Sequence, residues 1–221
     1  MAALIPRDQW PRPNLIGRLR SRQAGRPSGP LGLLMGRAMA KDTWVANERN
    51  LSIVTDRLGG LTDRTVLELG FGQGRMVGAL LDAGATVLGV EVSTTMRAQA
   101  SRANREAVAA GRADLRIGDG IRLPFDDGVA DAVTTAHTIY FLPEPERTMA
   151  DVHRVLGPEG VFTLAFVSAE NGVAPWMDPA VYRAYLTEEV TTMLTEAGFS
   201  AVEVVIDDGL PLPLRWMVAT A

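Results

Sequence analysis

The rhythm of apolar and polar positions changes at about residue 62. Beyond it, short apolar runs bounded by glycine or by turn residues alternate with segments whose apolar side chains recur every three or four positions. The first rhythm is that of buried strands and the second that of helices with one covered face. The strand-like runs are Arg64 to Leu69, Thr86 to Val90, Asp114 to Ile117, Asp131 to Ala136, Val161 to Val167, Ala201 to Ile206 and Leu214 to Ala219. Val161 to Val167 is almost wholly apolar, as a strand covered on both faces must be.

Helices fill the gaps. Gly74 to Ala83 places Met76, Leu80 and Ala83 on one face, and Ser93 caps a helix over 94–109 that Gly111 closes. After Pro143, a helix carrying Met149, Val152, Val155 and Leu156 on one stripe runs to the stop signal Gly157-Pro158. Thr187 opens another, with Val190, Met193, Leu194 and Ala197 in helical register before Gly198. This alternation predicts an α/β fold: a doubly wound, seven-stranded, mostly parallel Rossmann-like sheet. The last two strands are joined without a helix, across the turn-rich Asp207 to Pro213, so they are expected to form an antiparallel hairpin.

Residues 1–62 do not alternate. From about Leu31 to Leu58 the pattern is helical, with Leu34, Met35, Ala38 and Met39 clustered, and predicts an N-terminal helical cap over 31–62. Residues 168–186 form one long irregular insertion, read as a lid. The expected organisation is a basic, proline-rich arm over 1–30 and a single domain over 31–221. Residues 1–40 hold seven arginines against Asp8 alone, a balance of +6, while the remainder stands at −10. Pro6, Pro11, Pro13, Pro27 and Pro30 break any continuous amphipathic helix there, so the arm reads as solvated. Positive charge confined to such an arm, on an acidic domain, argues against a nucleic-acid partner. The chain has no cysteine, which removes disulfides, thiol nucleophiles and Cys-based zinc sites and agrees with a cytoplasmic location. No apolar stretch approaches the ~20 residues of a membrane span.

The strongest chemical signal is Val66-Leu67-Glu68-Leu69-Gly70-Phe71-Gly72-Gln73-Gly74, a strand, a glycine loop and a helix start. Such a unit brings backbone N–H groups and a helix N-terminus to a ligand at the carboxyl end of a strand. The nicotinamide fingerprint Gly-x-Gly-x-x-Gly would want Gly or Ala at 75, where Arg75 stands. Glu91 ends the second strand, where a carboxylate can accept from both ribose hydroxyls of a nucleoside. With two histidines and no cysteine, no metal site of credible spacing is present, and none is expected.

Val66 to Gly74, Gly89-Val90-Glu91-Val92-Ser93, Gly118-Asp119-Gly120-Ile121-Arg122-Leu123-Pro124-Phe125, the Asp131 strand and Arg154-Val155-Leu156-Gly157-Pro158-Glu159-Gly160 follow one another in an order that resembles the class I S-adenosylmethionine-dependent methyltransferases. The resemblance is closest to the small-molecule group that includes the ubiquinone and menaquinone C-methyltransferases, and it covers roughly residues 50–220. It implies S-adenosylmethionine as cofactor. Gly70, Gly72 and Gly74 would pass beneath its methionine moiety and ribose, with Glu68 near the amino group. Glu91 would hold the ribose hydroxyls, Val92 would lie against adenine, Asp119 would accept from the exocyclic amine, and Gly120 or Ile121 would donate to a ring nitrogen.

The loop from Thr135 to Pro143 would face the methyl donor, its backbone near the methionine end. His137 in it is the side chain able to take a proton near neutral pH, and so the candidate catalytic base; a purely structural histidine is the alternative. Tyr140 and Phe141, with Trp176 and Tyr182 of the insertion, are candidate contacts to a small, largely apolar or aromatic acceptor. Two rivals stand beside this reading: a nicotinamide oxidoreductase, and a protein that binds the cofactor without catalysis.

Overall fold

The computed structural model describes residues 9–29, 32, 43–207 and 214–221. Leu34, Met35, Ala38 and Met39, expected on the helical cap, lie outside the described residues. Within them, α1 (Leu15–Gly25) and α2 (Trp44–Leu58) precede β1 (Thr65–Leu69). Then follow α3 (Arg75–Asp82), β2 (Thr86–Glu91), α4 (Thr94–Ala103), α5 (Arg105–Ala109), β3 (Ala113–Ile117) and β4 (Ala130–Ala136). The remaining elements are α6 (Pro145–Val155), β5 (Leu156–Val167), α7 (Thr187–Glu196), β6 (Ala201–Ile206) and β7 (Leu214–Thr220).

All seven strands join one sheet in the order β3-β2-β1-β4-β5-β7-β6. β1 to β5 are parallel, while β7 runs antiparallel to both β5 and β6. The expected hairpin is therefore present, with its second strand inserted next to β5. Side chains alternate across each strand, so consecutive residues feed opposite cores. On β5, Phe162, Leu164 and Phe166 face Met149 and Val152 of α6 and Val190 and Leu194 of α7. Val161 and Ala165 face the other core, with Ile53 and Val54 of α2 and Val77 and Leu80 of α3. This two-sided covering is why the strand is apolar almost throughout.

Two differences from the sequence pattern bear on the site. The helix expected over 94–109 is broken at Asn104, whose Nδ2 donates to the carbonyls of Gly74 and Ala100 at 3.1 and 3.0 Å. The break ties α4 to the end of the glycine loop. The region read as a solvated arm contains α1, capped by Asn14 (its Oδ1 accepts from Gly17 N at 2.9 Å) and seated on the 168–186 insertion. Ser21, fully buried, donates to Trp176 O at 3.1 Å and accepts from Asp178 N at 3.0 Å.

Parallel strands and their crossovers set the site's location. The sheet order reverses between β1 and β4, and ligands in such sheets bind at the carboxyl ends of the strands beside that reversal. Glu68, the glycine loop, Glu91 and His137 all lie there.

Candidate active site

A cavity of about 820 Å³ opens at the carboxyl ends of β1, β2, β3 and β4, roofed by α1 and the turn after it. Its wall brings together Glu68, Gly70, Gly72, Glu91, Val92, Asp119, Gly120, His137 and Phe141 from the sequence-derived set. Gly74, Ile121, Thr135, Tyr140, Trp176 and Tyr182 do not line it.

The glycine loop is held by geometry that side chains would block. Gly70 has φ 77°, and a Cβ there would sit 2.5 Å from Thr138 Oγ1. Gly74 is the N-cap of α3 at φ 82°, and its Cβ would lie 2.7 Å from that of Ala100. Gly74 therefore serves the close packing of α3 against α4 rather than the cavity wall. Between them, Gly72 donates its N–H to Glu91 Oε2 at 3.0 Å, so the loop is buttoned to the end of β2. The other oxygen of Glu91 accepts from Ser93 N at 2.8 Å. Burial raises the Glu91 pKa above the usual carboxylate range, and the backbone donors of Ser93, Gly72 and Val92 pull against that rise.

Glu68 is a deeper case. It is 3% exposed, and burial pushes its carboxyl up to about 8, the hydroxyl of Thr134 opposing this by donating to Oε2. The register of β1 on β4 sets Glu68 opposite Thr134 and makes that bond possible. A carboxyl that lies on a cavity wall and is this poorly solvated gains most from an incoming cation. Two further wall atoms, Asn47 Oδ1 and Gln73 Nε2, are buried and have no hydrogen-bond partner among the described residues. An amino-acid-like ligand end, with its ammonium at Glu68 and polar atoms left over, fits these residues.

Asp119 is exposed at the rim, and its Oδ1 accepts from Ile121 N at 2.9 Å. That bond occupies the Ile121 N–H and leaves the Gly120 N–H as the nearer donor to a ligand. Thr135, expected beside the methionine end, is consumed by the fold. Its Oγ1 donates to Leu69 O at 2.7 Å and its carbonyl accepts from Asn50 Nδ2 at 3.0 Å.

His137 sits at φ 57°, a backbone strain that clusters at functional sites. Its N–H donates to Ala165 O at 2.8 Å, and its Nδ1 lies 3.2 Å from the Tyr140 hydroxyl. That hydroxyl also accepts from Val167 N at 2.5 Å, so it bridges the ring to the end of β5. Burial lowers the pKa of the His137 ring to about 4. His137, the candidate base, is therefore uncharged at neutral pH, with one ring nitrogen engaged by Tyr140. Tyr140→Phe should leave both partners of the hydroxyl unmatched and cost about 1–3 kcal/mol of stability, read by urea unfolding. An unchanged midpoint would show that the Tyr140 hydroxyl is not shared in this way.

Trp176, Tyr182, Tyr140 and Phe141 form one aromatic cluster with ring centroids 4.7 to 5.9 Å apart, of which Phe141 alone reaches the cavity. The sequence reading missed the roof: Leu19, Arg22, Gln23, Arg26, Pro27 and Ser28 line the cavity from above. Ser93 latches it, donating from Oγ to Pro27 O at 2.5 Å.

Residues 67–164 match the methyltransferase domain family. A demethylmenaquinone methyltransferase from Beutenbergia cavernae is 33% identical over 141 residues, 62% of this chain and 54% of that protein. A crystal structure of an S-adenosylmethionine-dependent methyltransferase from Mesorhizobium loti aligns with a TM-score of 0.63 at 16% identity, over 73% of this chain and 93% of that one. The [4+2]-cyclase SpnF aligns over 96% of both chains with a TM-score of 0.64 at 19% identity. The chain spans about half the length of the curated relatives it matches. The family match runs from inside β1 into β5, so it contains the glycine loop, Glu91 and Asp119, and excludes the roof. Among the described residues, no group of three His, Asp or Glu side chains is placed to hold a metal, and no helix is long and apolar enough to cross a membrane.

Proposed function

We propose that this domain transfers the methyl group of S-adenosylmethionine to a small, largely apolar or aromatic acceptor, with an oxygen as the favoured target. The observation that carries the reading is the pair of buried carboxylates, Glu68 and Glu91, flanking an open glycine loop on one cavity wall. Glu68 takes the ammonium of the cofactor, Glu91 its ribose hydroxyls and Asp119 its adenine amine, with Val92 against the ring and Gly120 donating to it. When bound, the cofactor would supply an electrophilic methyl group on a sulfonium to the acceptor oxygen.

The protein's part is alignment and exclusion of water. The roof and Phe141 close the space above the strand ends, and His137 presents its second ring nitrogen to orient the acceptor oxygen. A pre-ionised acceptor needs no protein base, which suits a histidine titrating near 4. The reading requires no metal.

The test is calorimetry with S-adenosylhomocysteine and NAD, followed by a methyl-turnover screen over small phenols, quinols, acids and amines. Tight S-adenosylhomocysteine binding, no NAD binding and turnover on one class are expected. The cyclase on the same fold makes the turnover arm decisive: cofactor retention with no methylation of any class would favour the non-methylating alternative. His137→Ala should keep cofactor affinity and lose turnover, whereas full activity would remove His137 from the acceptor side.

A further inference from the structure

α1 is a short helix with two different faces. Gly17, Ser21 and Gly25 recur every four residues and seat it on the protein. A Cβ on Gly17 would meet Trp176 O at 3.2 Å, and one on Gly25 would meet Phe141 and Val181 at 3.0 and 3.2 Å. These contacts, with the Ser21 bonds to Trp176 and Asp178, fix the rotation of the helix. The adjoining face then carries Leu19, Arg22 and Gln23, Arg26 follows as the C-cap of the helix, and all four line the cavity.

Arg22 in the last turn and Arg26 at the C-cap stand four residues apart in the chain, both exposed. Among the described residues, neither has a carboxylate oxygen within 4 Å, although eight ion pairs occur elsewhere in the fold. The third guanidinium on the wall, Arg75, lies 3.7 Å over the Trp44 ring and is already engaged. The acids on the same cavity, Glu68, Glu91 and Asp119, sit at the strand ends and meet cationic or donor groups of the cofactor. The cofactor's single carboxylate has Gln73 Nε2, unpartnered among the described residues, on the same wall to accept from.

We propose that the acceptor is an anion, an apolar or aromatic body carrying a carboxylate or similar group that Arg22 and Arg26 hold together. The apolar part lies against Leu19, Phe141 and Val181, and the charged end points to the mouth, where both arginines are partly solvated. The pair selects among acceptors and takes no part in the displacement. This rests on the methyl-transfer reading only for the word acceptor; the anion site itself does not.

The test uses the full chain and matched acid–amide pairs: benzoate and benzamide, cinnamate and cinnamamide, octanoate and octanamide. Each is titrated calorimetrically with and without saturating S-adenosylhomocysteine. In at least one pair the acid should bind at least about tenfold tighter than its amide, as a charge-assisted pair provides. In Arg22→Gln/Arg26→Gln that preference should fall to within about twofold, with S-adenosylhomocysteine affinity unchanged, because charge assistance is what was removed. No acid preference in any pair, or a preference surviving in the double variant, overturns the proposal. A loss confined to S-adenosylhomocysteine affinity also overturns it, by assigning the arginines to the cofactor. If wild type binds no S-adenosylhomocysteine yet keeps an arginine-dependent acid preference, the anion site stands and the cofactor reading fails.

Discussion

Replacing Glu68 with glutamine is expected to flatten the pH dependence of stability in the ligand-free protein between pH 6.5 and 8. The folded pKa of Glu68 is raised from 4.5 to about 8, so across that interval the folded state holds a proton that the unfolded state has lost. Stability therefore falls as pH rises, by about 1.4 kcal/mol per pH unit. His137 works in the opposite sense. Its pKa is lowered from 6.5 to about 4, so the unfolded state binds the extra proton there and stability rises with pH. The His137 and Glu68 slopes oppose each other between about 4.5 and 6.5; from 6.5 to 8 Glu68 lowers stability without that opposition, and Glu91, also raised by burial, acts in the same sense as Glu68. Wild type should lose about 2 kcal/mol across that window, a fall of about 4–8 °C in melting temperature for a chain of this size. Glu68→Gln should lose about 2 kcal/mol less than wild type across the same window. Binding of S-adenosylhomocysteine at pH 7 should release close to one proton as the ammonium ionises Glu68, measured by calorimetry in buffers of different ionisation enthalpy. A wild-type melting curve flat from pH 6.5 to 8 would sink the assignment, as would proton release that survives in the variant.

Glu91→Ala is the second large effect. The substitution removes the acceptor for the Gly72 and Ser93 N–H groups, at 3.0 and 2.8 Å, together with the proposed ribose contacts. Loss of one or two net charge-assisted bonds, offset in part by water entering the gap, weakens S-adenosylhomocysteine binding by about 10- to 100-fold. Glu91→Gln separates the two roles. Its amide oxygen can still accept from one backbone N–H, so it should keep more of the loop's order while losing the charged ribose contact. A folded Glu91→Ala protein that binds S-adenosylhomocysteine as wild type does would move the ribose elsewhere.

The sheet and the strand-end carboxylates were legible because their signals are local and strong. A buried parallel strand must be apolar on both faces, so β1, β4 and β5 announce themselves, and Glu68 and Gly70 follow β1 by position alone. The roof was not legible, for a physical reason. α1 is held by Gly17, Ser21 and Gly25, and a helix seated through small residues has no stripe of large apolar side chains to find. Its large apolar residues point outward instead, Leu15 being 83% and Ile16 77% exposed. The usable sign was the proline-free interval from Asn14 to Arg26, opened by a residue type that caps helices. The hydrogen bond between Tyr140 and His137 was equally hidden. It depends on the positive φ of His137 and on the approach of β5, neither of which sequence spacing encodes.

The placement of β7 between β5 and β6 bears on how the chain assembles. β6 leaves the ribosome before β7, yet its sheet partner is β7, paired from Ala201–Thr220 to Ile206–Arg215. Until the later strand arrives, β5 has an open edge and the Val202-Glu203-Val204-Val205-Ile206 run has nothing to bond. Unpaired β-branched strands of this kind are sticky, and pairing that must wait for distant sequence is slow. Synthesis halted between β6 and β7 should therefore yield a species held by chaperones or lost to aggregation, although most of the cofactor cavity has already been made.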